Sequence, residues 1–141
     1  SKELILSTAK RHKVENHIIF TGNINNDEIL SSFYYLADLH IFPVKHIPED
    51  PEGFGMVAVE SAAHGTPTIA FATGGIIDAV QHRKTGYLIE KQNYHSLTET
   101  TIDFLESRIS IDKIICTYYA EQFAWYHLLE KFNQLIKSLD D

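Results

Sequence analysis

The chain is 141 residues long, 44% hydrophobic and 22% charged, enough for one globular domain with a real core. Its net charge of -7 excludes gripping nucleic acid or an anionic membrane by bulk attraction. No run approaches the roughly 18 apolar residues of a membrane span, and no signal-peptide pattern opens the chain. A single Cys116 excludes an intrachain disulfide and suits a cytoplasmic location.

Ser1 to Val14 reads as the end of a helix, with Leu4, Ile5 and Leu6 ahead of a basic stretch from Lys10 to Lys13. His17 to Thr21 is a short β-branched and aromatic run stopped by Gly22, which predicts a strand. Asn26 and Asp27 are capping residues for a helix over 28–36, with Ile29, Leu30, Phe33 and Tyr34 at helical spacing. Leu39 to Phe42 predicts a second strand, ended by Pro43. A polar loop follows, then a helix from about Phe54 to His64 that Gly65 terminates. Pro67 to Phe71 and Gly86 to Ile89 predict two more strands, with a short helix near Ile76 to Gln81 between them. Three helices close the chain, at about 94–107, 111–122 and 124–139; the last carries a wide apolar stripe. Strands alternating with helices predict an α/β fold, a parallel sheet with helices on both faces.

The stretch Pro51 to Pro67, PEGFGMVAVESAAHGTP, carries the chemistry. It follows a parallel strand, at the carboxyl edge where open α/β sheets bind ligands. Gly53 and Gly55 lack a Cβ and let backbone approach a ligand. They lead into a helix N-terminus, whose free amides and positive dipole end suit a diphosphate. Glu52 precedes that helix and Glu60 lies within it. Residues 53 to 59 carry no charge, so the first turns are expected to be buried, with Glu60 beside Met56, Val57 and Ala63 or His64. A buried carboxylate needs donors, and ribose hydroxyls supply two. The eight histidines form no HExxH pair and no cysteine–histidine cluster, so no metal site is expected.

Glu52-Gly-Phe-Gly with Glu60 eight positions on, then HGTPTIAF and TGGIIDAV, resembles glycosyltransferase family 4, the retaining GT-B enzymes. FTGNI, LHIFP, TGYLI and FAWYHLLEKF extend the resemblance over nearly the whole chain. It implies a Rossmann-like, doubly wound C-terminal domain that binds a nucleotide-diphosphate sugar, with strand order 3-2-1-4-5-6. Residue by residue, it implies that Glu52 acts catalytically by holding donor-sugar hydroxyls. Gly53, Phe54 and Gly55 would hold the sugar or its phosphates, with Met56 and Val57 continuing that contact. Glu60 would bind the ribose. Gly22, Asn23 and Ile24 would read the base through main chain.

The same resemblance implies that no metal cofactor is needed, because the protein neutralises the diphosphate. Lys45 and His46 read as solvent-exposed rather than phosphate ligands, and Arg83 and Lys84 as a solvated turn. Gly74-Gly75 reads either as packing around the ligand crevice or as a tight strand-to-helix turn. Asp78, where the family often has Glu, reads as structural.

The resemblance also places the chain as one domain, 1–141, that starts inside the helix after strand two. An upstream Arg and Lys that stabilise the leaving diphosphate, and the acceptor domain, would then lie elsewhere. With the sheet's middle strands missing, either the remaining strands close the gap, or another copy of the chain or an upstream segment fills it; unpaired interior edges favour the last two. Sequences of this PEDPEGFGMVAVE type sit most readily among polysaccharide and lipopolysaccharide assembly enzymes, which favours GDP-mannose or a UDP-hexose as donor. A glycan or lipid-linked acceptor would then bind through the missing N-terminal half, at the inner face of the membrane. A non-catalytic nucleotide-sugar-binding module and a GT-B sugar-nucleotide epimerase are the alternatives. A dinucleotide oxidoreductase is disfavoured, since no GxGxxG links a first strand to a helix.

Overall fold

The computed structural model describes residues 2–44 and 55–124, with 127 and 129. Glu52, Gly53, Phe54, Lys45 and His46, and all but two residues of the expected last helix beyond Ala124, lie outside the described residues. The chain divides into two compact units, Ser1–Leu30 and Ser31–Asp141.

The first unit opens with α1 (Lys2–His12), with Glu3 in its first turn and Lys10, Arg11 and His12 in its last, as the helix dipole favours. Lys13 takes φ 59° to end it. Glu15–His17 is a single 3-10 turn, and the expected strand at 17–21 does not form. Its β-branched residues suit a pleated ladder, but no strand among the described residues pairs with them. Ile19 is left 86% exposed. Helix α2 (Asp27–Leu36) begins as expected, with the Asn26 side chain accepting from the Ile29 amide at 2.9 Å.

The second unit is built on three parallel strands, β1 (His40–Phe42), β2 (Thr68–Phe71) and β3 (Gly86–Ile89), in chain order. Three consecutive parallel strands fit the last three positions of the order 3-2-1-4-5-6. Between them run α3 (Met56–Ala63) and the one-turn α4 (Ile76–Ala79), followed by α5 (Tyr94–Leu105) and α6 (Lys113–Glu121).

Strand β2 is buried along its whole length, and its pleat divides the interior in two. Ala70 faces a cluster with Ala58, Val59 and Ala62 of α3, Ile76 and Ala79 of α4, and Cys116 and Ala120 of α6. Ile69 and Phe71 face the other way, onto Ile89 of β3 and Leu97 of α5. Helices on both faces of a parallel sheet make this a doubly wound α/β unit. Ala residues dominate the first interface, so α3 and α6 approach each other closely and α3 lies against the sheet. Gly86 marks the tightest point: a Cβ there would lie 1.9 Å from the Thr68 carbonyl oxygen of β2.

Candidate functional site

Strand β1 ends at Phe42 and the next described element is α3, so the amino end of α3 lies at the carboxyl edge of the sheet. Gly55 is its N-cap, with φ 75° and ψ 40°, a left-handed conformation open to glycine at little cost. A Cβ on Gly55 would come 3.1 Å from Ile76 Cγ1 and 3.6 Å from the Ala79 Cβ. The backbone at the helix start is therefore pressed onto α4. Among the described residues, no side chain caps α3. The Gly55 carbonyl accepts from the Ala58 amide at 2.8 Å, tightening the first turn. The Met56 and Val57 amides have no acceptor inside the helix, and the positive end of its dipole points the same way. Gly74, whose φ is 51°, turns the chain from β2 into α4 beside this point.

The expectation that the first turns of α3 are buried all round is corrected by the structure. Ala58, Val59, Ser61 and Ala62 are buried, but Met56 is 51% exposed and Glu60 is exposed as well. One face of the helix packs on the sheet and α6. The Met56–Glu60–Ala63 face instead borders an open groove of about 670 Å³ shared with Ile114, Thr117 and Tyr118. The uncharged run reflects small residues on the packed side rather than burial of the whole surface. Glu60 is thus a carboxylate accessible from solvent.

Glu60 does have a protein partner, which sequence reasoning missed. The Tyr34 hydroxyl donates to Glu60 Oε2 at 3.3 Å. Tyr34 is half-buried, and its hydroxyl is pushed up to about 12 by burial first, then by the Glu60 charge and hydrogen bond. Its ring stacks on His64 with centroids 5.6 Å apart and meets the His40 ring edge-on at 5.9 Å. His64 Nδ1 lies 2.7 Å from the Glu60 carbonyl oxygen. Thr66 Oγ1 donates to the Tyr34 carbonyl at 2.6 Å. Counted in the sequence among apolar residues at helical spacing, Tyr34 gave no sign of a polar role.

Of the candidate residues, the structure brings Gly55, Met56, Val57 and Glu60 together along the first turns of α3. Gly22, Asn23 and Ile24 belong to the first unit, in irregular chain, with Gly22 at φ 66°. Arg83 and Lys84 are exposed, as a solvated turn requires. Among the described residues, no group of three or more His, Cys, Asp or Glu side chains is placed to hold a metal ion.

A family model described as Glycosyl transferases group 1 matches residues 2–122. The chain belongs to that family. This group 1 glycosyltransferase chain is 29% identical over 132 residues to a GDP-mannose-dependent alpha-(1-6)-phosphatidylinositol monomannoside mannosyltransferase of Mycobacterium tuberculosis. That match covers 90% of this chain and 34% of the relative, so the chain spans about a third of the relative's length. Among solved structures it is similar to sucrose-phosphate synthase from Thermosynechococcus elongatus. The TM-score is 0.69 at 26% identity, covering 96% of this chain and 33% of that one. The fold is shared with HepE of Anabaena, whose structure is a complex with UDP, at a TM-score of 0.69 and 24% identity, covering 97% and 36% of the two chains. The family resemblance read from the double-glutamate stretch and the GT-B α/β fold it implied are both borne out.

Proposed function

We infer that this chain is the donor-binding part of a retaining hexosyltransferase, which moves a sugar from a nucleoside diphosphate onto a growing glycan or glycolipid. The observation that carries the reading is the amino end of α3. An uncapped helix start, held to α4 through Gly55, stands one turn from the exposed carboxylate of Glu60. Amides and dipole at the helix start suit a diphosphate, and a carboxylate about a turn away suits the vicinal hydroxyls of a ribose. Glu52 would hold the hydroxyls of the transferred hexose, and Gly53 and Phe54 would hold the sugar or its phosphates. Gly22, Asn23 and Ile24 would read the base.

The neutralising groups in this reading are protein amides and the cationic pair expected upstream, so no metal is assigned. GDP-mannose is the first donor to test, because the mycobacterial relative is named for its use; a UDP-hexose is the second. A lipid-linked or polysaccharide acceptor, as in lipopolysaccharide or other surface glycans, would bind through a second domain. No helix among the described residues is long and apolar enough to cross a membrane. In this reading the enzyme works in the cytoplasm, and membrane contact at its inner face falls to the acceptor side.

Calorimetric titration with UDP, GDP, UDP-glucose and GDP-mannose tests this directly. One nucleotide should bind, and Glu60→Ala should weaken it about tenfold or more, as loss of a charged hydrogen-bond acceptor does. A folded chain that binds none of the four, or binds one equally well in Glu60→Ala, would overturn the assignment.

A further inference from the structure

The exposed face of α3 poses a problem for ribose recognition. A glutamate on a solvent-facing helix has three rotatable bonds, and a ligand that needs one rotamer must freeze them. Glu60 is not left to sample these freely, because a neighbouring helix supplies a donor to one of its two oxygens.

We propose that Tyr34 is a positioning residue for Glu60: its hydroxyl holds Oε2, leaving Oε1 turned out to accept from the vicinal diol of a nucleoside ligand. This deepens the donor-binding reading and rests on Glu60 being the ribose carboxylate. Four contacts suit Tyr34 to the role. Its carbonyl accepts from Thr66, its ring lies against His64 and His40, and its hydroxyl reaches Glu60. The His64 ring that stacks on it is itself tied to the Glu60 carbonyl by a 2.7 Å contact. Backbone and side chain of Glu60 are thus both anchored to one aromatic pair. Tyrosine fits the task because only two torsions need fixing and its ring is already packed. Burial and the nearby carboxylate keep the hydroxyl protonated, hence a donor, across the working pH range.

The test is a double-mutant cycle on ligand binding. The whole chain and its Tyr34→Phe, Glu60→Gln and doubly substituted variants are titrated with UDP, GDP and their 2′,3′-dideoxy counterparts. All titrations run below the thermal unfolding onset of each variant. Tyr34→Phe keeps the ring and removes one oxygen, so the fold is expected to persist. It should weaken the ribonucleotide about three- to tenfold while leaving the dideoxynucleotide unchanged. The loss should vanish in the Glu60→Gln background. A packing role would weaken both ligands alike and persist without the carboxylate, and that result overturns the proposal. So does a Tyr34→Phe variant that binds as tightly as the parent while Glu60→Gln binds weakly. Unchanged binding in Glu60→Gln would instead remove the ribose role of Glu60, and the role of Tyr34 with it.

Discussion

The hydroxyl of Ser61 donates to the carbonyl of Thr66 at 2.9 Å, across the tight turn that ends α3 and starts β2. Both residues are wholly buried. Gly65 sits between them at φ 78°, and the Thr66 amide returns to the Ser61 carbonyl at 3.0 Å. The turn that fixes the direction of the candidate ligand helix is therefore closed by one side chain together with its own backbone. Ser61→Ala leaves the Thr66 carbonyl without that donor in a dry interior. It should cost about 1–3 kcal/mol, read as a lower denaturant midpoint with an unchanged slope.

Gly86→Ala should be more damaging. The added carbon has no room beside the Thr68 carbonyl, and the β2–β3 ladder would have to part there. A loss of about 3 kcal/mol or more is expected, because both strands are held by helices and cannot shift independently. Thermal unfolding followed by circular dichroism measures it.

Gly55→Ala tests the helix start. A left-handed φ costs a residue with a side chain about 1–2 kcal/mol, and the methyl would also press on Ile76 Cγ1. Stability should fall by about that amount. Nucleotide affinity should fall further than stability alone explains, because the amides of the first turn move with the strain. Titration at a temperature where the variant is fully folded separates the two effects.

His40 gives the fold a pH dependence of known sign. Burial holds its ring below the ordinary 6.5, and Nδ1 lies 3.1 Å from Thr68 Oγ1 across the β1–β2 pair. Between the lowered value and 6.5 the unfolded chain binds a proton that the folded chain refuses, so stability rises with pH through that window. The contribution is complete above 6.5 and is lost as the pH falls below it. Unfolding midpoints measured from pH 7.5 down to 5 should therefore decline, with a shallower slope in His40→Asn.

Cys116 should be inert. It lies on the buried face of α6, and burial followed by the charge of Asp112 pushes its thiol up to about 11 from an ordinary 9.0. At pH 8 about a hundredfold less thiolate is present than for an ordinary thiol. A chromogenic disulfide reagent should label the native chain slowly and the denatured chain fully.

The second unit was largely legible from local pattern. Gly86 to Ile89 was read with the bounds it has, and the strands at Leu39 and Pro67 began one residue early. Capping chemistry placed α2 correctly through Asn26. The failures share a cause, which is that the deciding interaction is distant in sequence. Residues 17–21 have the composition of a strand, yet composition does not supply a neighbouring ladder. Glu60 was expected inside because no charge precedes it. Only the packing of Ala58 and Ala62 against α6 and the sheet shows which face is open. Tyr34 and Glu60 meet across 26 positions, and an aromatic at helical spacing reads as core until its hydroxyl is seen on a carboxylate.

The order of the three strands bears on how the sheet is assembled as the chain leaves the ribosome. Each strand pairs with the one made just before it, although His40 and Thr68 stand 28 positions apart. Synthesis delivers β1 first, then the α3 crossover with β2, then β3, so the ladder grows from a single edge in the order of translation. Among the three described strands none has to be reopened to admit a later one, and the buried middle strand is sealed last, when Gly86 closes against Thr68.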